Sequence, residues 1–264
     1  MKRQLLKTAI TAALEAGKAI LEIYHSGEFA VEIKGDNSPL TKADKASHSI
    51  IMSFLTKTKI PVLSEEGGDI PYEERKDWTQ LWIVDPLDGT KEFIKRNNEF
   101  TVNIALIYNQ KPVLGVVYAP ATKDLYFAET GLGSYKIENI TAYKELNKLK
   151  AINLSESKYP QVYTLMVSKS HMNDETQLFV DKKEKEFGKI ITISFGSSLK
   201  ICKVAEGIAH CYPRFAPTME WDTAAAHAIA ILSGQIVVKK NTVSELKYNK
   251  KSLLNPHFMV QNEV

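Results

Sequence analysis

The stretch Trp82-Ile83-Val84-Asp85-Pro86-Leu87-Asp88-Gly89-Thr90-Lys91-Glu92-Phe93 constrains this chain more than any other. Residues 81–84 are apolar and few enough for a buried strand. The run ends in Asp85, and Asp88 follows just past Pro86 and Leu87. Proline fixes its own φ and pushes the residue before it out of the α region. The chain therefore turns sharply beyond the strand and holds two carboxylates close together. Neighbouring anions repel, so a fold gathers them where a cation sits between them.

Other strand ends point the same way. Pro61-Val62-Leu63 reads as a short strand running into Ser64-Glu65-Glu66-Gly67-Gly68, about twenty residues before Asp85. Two acidic strand ends suggest carboxylates converging on one sheet edge, where α/β architectures place their ligands. Upstream, apolar residues at three- and four-residue spacing over 5–24 predict a long amphipathic packing helix. Residues 29–33 alternate like a strand. The polar cluster 34–39 is a loop of the kind that can close over a site. A second helix is predicted over 41–55 with Thr41 as N-cap. Asp44 then falls at its third position, either as a capping-box carboxylate or as an acid aimed into the site. Residues 69–80 look like an exposed excursion.

Downstream of the acidic stretch, strands are predicted over 101–108, 113–118, 125–128 and 134–137, an antiparallel meander. The pattern fades over 138–158, where a subdomain boundary is placed, giving units 1–150 and 151–264. Beyond it strands (162–167, 189–193, 209–212, 235–238) alternate with helices (173–187, 197–206, 221–233), an α/β layer arrangement. Gly196-Ser197-Ser198-Leu199-Lys200 opens one helix with hydroxyls and a lysine, suited to an anion or to simple capping by Ser197. Asp222 opens an Ala-rich helix and on spacing alone reads as a cap.

Composition excludes several classes. The chain has 264 residues, 44% hydrophobic and 25% charged, enough for a sizeable core. A net charge of +3 is too small to argue for nucleic-acid binding. The two cysteines, Cys202 and Cys211, are too few for a disulfide scaffold. No apolar run approaches a membrane span, and the amphipathic start lacks a signal-peptide core, so a cytoplasmic location is expected.

Taken together, Asp85-Pro86-Leu87-Asp88-Gly89-Thr90, Trp221-Asp222-Thr223-Ala224-Ala225 and Ser64-Glu65-Glu66 resemble, in order and spacing, the signature of the inositol monophosphatase superfamily. Further segments are similar to its 3'(2'),5'-bisphosphate nucleotidase branch: Asp36-Asn37-Ser38-Pro39, the run from Asp88 to Leu106, Gly115-Val116-Val117-Tyr118-Ala119-Pro120, Gly196-Ser197-Ser198-Leu199-Lys200, Tyr212-Pro213-Arg214-Phe215 and Leu254-Asn255-Pro256. The resemblance is nearly end to end and weakest over 138–160.

It implies an α-β-α-β-α sandwich of the inositol monophosphatase and fructose-1,6-bisphosphatase type. It implies a Mg²⁺-dependent, lithium-sensitive phosphatase holding two or three ions. The implied substrate is adenosine 3',5'-bisphosphate, with its sulfated relative 3'-phosphoadenylyl sulfate. By the same resemblance Glu65, Asp85 and the Leu87 carbonyl hold one metal, while Asp85, Asp88 and Asp222 hold a second. Four carboxylates and two Mg²⁺ then balance in charge. Thr90, backed by Glu65 or Asp44, orients the attacking water, and Gly89, Thr90 and Lys91 open a helix whose amides face the phosphate. Lys200 and Arg214 are the expected grip on the uncleaved phosphate, with Ser197 and His171 as further substrate contacts. His171 reads equally well as a surface histidine, and Tyr212 and Phe215 read as core packing more than base stacking. The expected partner is a small nucleotide bisphosphate and no nucleic acid. A monomer or weak homodimer, and a peripheral hold on the inner face of the cell membrane, are left open. So are an inositol or sugar phosphate as substrate, and nucleotide binding without turnover.

Overall fold

The computed structural model describes residues 2–33, 35, 39–168 and 172–262. Five layers stack in the order helices, sheet, helices, sheet, helix, the sandwich expected from the resemblance. The outer layer is α1 (Lys2–Ser26) and α2 (Lys42–Leu55), joined by a short hairpin of β1 (Glu32–Ile33) and β2 (Pro39–Leu40). The proposed covering loop lies outside the described residues, apart from Gly35 and Pro39.

The first sheet has seven strands in chain order: β3 (Val62–Ser64), β4 (Gln80–Asp88), β5 (Thr101–Tyr108), β6 (Lys111–Ala119), β7 (Asp124–Glu129), β8 (Gly133–Ile137) and β9 (Ile152–Asn153). β3 pairs parallel to β4 and every later pair is antiparallel, so the meander is present. Period-two alternation decides what each face touches. Trp82, Val84, Ile104 and Val116 point to α1 and α2. Leu81, Ile83, Ala105 and Val117 point the other way, to α6 (Leu199–Ala205) and α7 (Glu220–Leu232).

The second sheet covers the far side of α6 and α7. It contains β10 (Thr164–Ser168), β11 (Ile191–Phe195), β12 (Cys211–Arg214), β13 (Gln235–Lys239) and β14 (Phe258–Asn262) in the order β11-β10-β12-β14-β13. α5 (Asp174–Phe187) closes its outer face over Leu165, Val167 and Cys211. Both cysteines are buried and free. Among the described residues no helix is long and apolar enough to cross a membrane.

Three sequence expectations are corrected. β14 lies beyond the predicted strands, yet it pairs with both β12 and β13 and is an interior strand of its sheet. β11 and β12 sit two residues later than predicted. The supposed excursion over 69–80 carries a short helix, α3 (Tyr72–Arg75), whose Arg75 is buried. Its guanidinium donates to the carbonyls of Ile70, Lys250 and Lys251 and to Asn249 Oδ1, locking the loop after β13 in place.

The alanines of α7 matter because β6 passes directly beneath them. A Cβ on Gly115 would collide with the Ala225 carbonyl and lie 2.8 Å from Ala228 Cβ. Gly115→Ala forces the helix off the sheet, and overpacking of this kind costs about 1–3 kcal/mol. A Tm lowered by about 2–12 °C is the expected result, since 1 kcal/mol moves a domain of this size by roughly 2–4 °C. An unchanged melt by calorimetry would show that the layers are not in contact there.

Candidate active site

Pairing register brings the acidic residues together. In the parallel pair β3–β4, Ser64 lies opposite Val84, so Glu65 and Asp85 leave the sheet at the same edge. Glu65 N donates to Val84 O at 3.1 Å. In the antiparallel pair β4–β5, Asp85 faces Asn103 and Asp88 faces Thr101, three residues against two. That single extra residue is a β-bulge. In a regular strand residues 85 and 88 would point to opposite faces; the bulge returns both carboxylates to one side. Pro86 sits in the bulge, and its carbonyl is held by Ser47 Oγ at 2.6 Å. Gly89 then turns the chain into α4 (Thr90–Ile94) with φ +91°, a conformation glycine adopts without strain.

Asp44 closes the capping box and also reaches Thr90. Its Oδ2 accepts from Thr41 N at 2.7 Å, closing the capping box, while its Oδ1 accepts from Thr90 Oγ1 at 3.2 Å. Thr90 Oγ1 also lies 3.3 Å from the Leu87 carbonyl. Asp222 likewise caps α7, with Oδ2 accepting from Met219 N at 2.8 Å. Burial pushes the Asp44 carboxyl up, against the pull of its Thr41 hydrogen bonds.

Asp85 is 1% exposed. Burial, and then the charges of Glu65, Asp88 and Asp222, push its carboxyl well above the usual range. Asp222 is raised by burial, Asp88 and Glu65, partly offset by the Met219 amide and Arg214. Four carboxylates from β3, β4 and α7 thus press on one another. Among the described residues no three acidic, histidine or cysteine side chains form a ready-made metal cage. One oxygen of each aspartate is instead held by the protein: Asp85 Oδ1 by Leu87 N (3.0 Å), Asp88 Oδ2 by Ser198 N (2.6 Å), Asp222 Oδ2 by Met219 N. The chemistry of the set still fits a hard divalent cation. All donors are oxygen, and their mutual repulsion is what such an ion relieves.

The acidic ledge opens into a cavity of about 250 Å³. Its lining brings Asp88, Gly89, Lys91 and Asp222 together with Ser197, Lys200, Tyr212 and Arg214. Lys200 and Arg214 are buried. Among the described residues neither is ion-paired. Lys200 Nζ donates to the carbonyls of Ser197 (2.7 Å) and Phe195 (3.3 Å). Arg214 donates to Pro217 O at 2.8 Å and reaches Ser168 Oγ at 3.5 Å, and its Nε finds no partner among the described residues. Burial pulls the Lys200 ammonium down to about 8, opposed by Asp88 and reinforced by Arg214. Ser197 holds φ +47°, a strained value for a residue with a Cβ. Ser198, not Ser197, is the residue before α6, and its hydroxyl donates to Asp222 O at 2.5 Å. Tyr212 and Phe215 are buried against Phe258 and Phe179. His171 lies outside the described residues.

Three neighbours of this constellation, Ser47, Thr101 and Asn103, have no role in the sequence reading, and Ser198 is singled out there only within the helix start over 196–200. Only the β4–β5 register, invisible in sequence, announces Asn103.

The model of the inositol monophosphatase family matches residues 1–258. The chain belongs to that family. Among family relatives, the 3'(2'),5'-bisphosphate nucleotidase CysQ of Salmonella typhimurium is 46% identical over 260 residues, 97% of this chain and 99% of the relative. The crystal structure of CysQ from Bacteroides thetaiotaomicron superposes with a TM-score of 0.91 at 46% identity, covering 100% of this chain and 98% of the other. An IMPase/NADP phosphatase solved with Mg²⁺ and phosphate shares the family fold at TM-score 0.72 and 21% identity, covering 94% and 87%.

Proposed function

We propose that this chain is a Mg²⁺-dependent 3'(2'),5'-bisphosphate nucleotidase that converts adenosine 3',5'-bisphosphate to AMP and phosphate, with 3'-phosphoadenylyl sulfate as a second substrate. The observation that carries the reading is a cavity lined both by the carboxylates Asp88 and Asp222 and by two buried cations, Lys200 and Arg214, that are not ion-paired among the described residues. A bisphosphate can offer one phosphate to a metal held by the carboxylates and the other to the cations. The nucleotidase relatives at 46% identity support the same choice.

In this reading Glu65, Asp85 and the Leu87 carbonyl hold one Mg²⁺, and Asp85, Asp88 and Asp222 hold another. Bound there, the ions supply Lewis-acid charge to the phosphate and lower the pKa of water. Thr90 donates its hydroxyl hydrogen to Asp44 Oδ1, which turns its own lone pairs toward the cavity to accept from the attacking water. Asp44, raised by burial, is suited to take up the proton that water releases. Water oxygen bonds to phosphorus, the bond to the ribose 3'-oxygen breaks, and that oxygen is protonated as it leaves. In this reading the amides of Gly89 and Thr90 face the reacting phosphate, while Ser197, Lys200 and Arg214 contact the substrate beyond it and the two cations hold the other phosphate. The ligands come chiefly from 1–150; Asp222 and the selectivity residues come from 151–264.

Phosphate release from adenosine 3',5'-bisphosphate, its sulfated form and inositol 1-phosphate, with and without Mg²⁺, tests the reading. Mg²⁺-dependent release fastest from the nucleotides is expected. Faster release from inositol phosphate would move the chain to another branch of the family, and tight nucleotide binding with no release would make it a binding protein.

A further inference from the structure

Asn103 occupies a position that the proposed chemistry has not used. It lies on β5 opposite Asp85, is 1% exposed, and is enclosed by Thr101, Asp88 and Ser198. Its amide nitrogen donates to Asp88 Oδ2 at 3.2 Å and to Ser198 Oγ at 2.9 Å. Its Oδ1 accepts from Thr101 Oγ1 at 2.9 Å. Ser198 Oγ passes its own hydrogen to Asp222 O, so it has to accept from Asn103. The directions are therefore fixed along the line: threonine to asparagine, asparagine to serine and to aspartate, serine to the backbone of α7. A flipped amide would put its oxygen against the Asp88 carboxylate and leave Thr101 only the Ser197 hydroxyl, 3.5 Å away, as an acceptor.

We propose that Asn103 is a positioning residue for the Asp88 carboxylate. With Ser198 N it holds Oδ2 by two donors, so the carboxylate cannot swing, and Oδ1 takes no protein donor among the described residues. The same amide ties Asp88 on β4 to Asp222 on α7 through Ser198, which fixes the spacing of two acids from different layers. Thr101, Asn103 and Ser198 are all buried, so a broken link leaves polar atoms that water cannot satisfy. An asparagine alone serves: two donors and one acceptor are needed in one plane, and an aspartate would add a fifth carboxylate. The inference rests on the reading of Asp88 as a metal ligand.

Titration of the full chain with Mg²⁺ by calorimetry, without nucleotide, tests it. Asn103→Leu keeps the volume and removes both donors. Loss of an outer hydrogen bond to a metal ligand weakens metal affinity by about 10- to 100-fold, and that is the expected result. Thr101→Val removes the hydrogen that sets the amide and touches neither acid; a smaller loss in the same direction, at least about threefold, is expected. Asp88→Asn is the reference and should weaken binding more than either. If Asp88→Asn weakens binding while the other two bind Mg²⁺ as the wild type does, the positioning role is overturned. If Asp88→Asn itself binds normally, the ligand reading fails and takes this inference with it. Should Asn103→Leu melt below the assay temperature in EDTA, the Thr101→Val result decides.

Discussion

Asp85→Asn is expected to give a protein that is nearly inactive and, without metal, harder to melt than the wild type. The two effects have one cause. Asp85 is buried against Glu65, Asp88 and Asp222, and its carboxyl is pushed up by burial and by their charge. Asparagine has the same shape and keeps an oxygen for the Leu87 amide, 3.0 Å away in the wild type. It removes the repulsion, and with it the proposed bridge between two ions. Losing several kcal/mol of charge stabilisation in the transition state lowers kcat/KM by about 10³- to 10⁴-fold. Relief of a buried, repelled charge should raise the metal-free Tm by about 3–8 °C, a gain of roughly 2 kcal/mol. The pH dependence follows from the direction of the shift. A carboxyl raised in the folded state binds its proton more tightly there than in the unfolded chain, so the wild type loses stability as pH climbs above the usual carboxylate range. The Tm gap should accordingly be narrow near pH 4 and wide near pH 8. With saturating Mg²⁺ the order should reverse, because the variant lacks a proposed ligand and gains less from binding the ion. Activity within tenfold of wild type would remove Asp85 from the centre, and an unchanged metal-free Tm would mean the four acids do not press on one another.

That site was legible in the sequence to an uneven depth, and the reason is range. Asp85 and Asp88 stand in one turn, with Pro86 between them to betray the geometry, and Glu65 ends a strand of its own. The bulge that returns both aspartates to one face depends on the register against β5, a pairing some twenty residues away that no local pattern records. Asn103 and Ser198 are ordinary residues in an apolar strand and a helix start until that register is known. Asp44 and Asp222 show why a cap and a proposed functional acid cannot be told apart by spacing: each gives one oxygen to its helix, and the other oxygen of Asp44 accepts from Thr90, a contact between distant segments that spacing does not record. The layers were legible because sheet faces and helix stripes follow simple periods. β14 was not, since it follows a polar stretch and owes its place to long-range pairing with β12 and β13. Arg75 is a harder case, a charged residue in a charged segment that is buried because backbone carbonyls surround it.

Selectivity is where the remaining large effect should lie. Lys200→Ala and Arg214→Ala are each expected to lower kcat/KM for adenosine 3',5'-bisphosphate by about 10- to 150-fold, the worth of one charged hydrogen bond, roughly 1.5–3 kcal/mol. The loss should appear mainly in KM, because in the proposed reading the phosphate they hold is not the one that reacts. Release from a substrate with a single phosphate should change less than threefold, since nothing then reaches across the cavity. The pair shares one ligand group, so the double variant should lose less than the product of the two. Lys200 adds a signature that Arg214 cannot. Its ammonium, pulled down to about 8 by burial, is charged below that pH and neutral above it. The wild-type kcat/KM for the bisphosphate should therefore fall as pH rises through about 8, a limb that reports the free enzyme. Lys200→Ala should be low throughout and lack that limb, while Arg214→Ala should keep it and show it at higher pH, because the Arg214 charge is one of the causes holding the lysine down. Equal losses for the bisphosphate and the single phosphate would place both cations at the reacting centre instead. No loss for either would leave the cavity's basic side without a role and return the choice of substrate to the inositol phosphates.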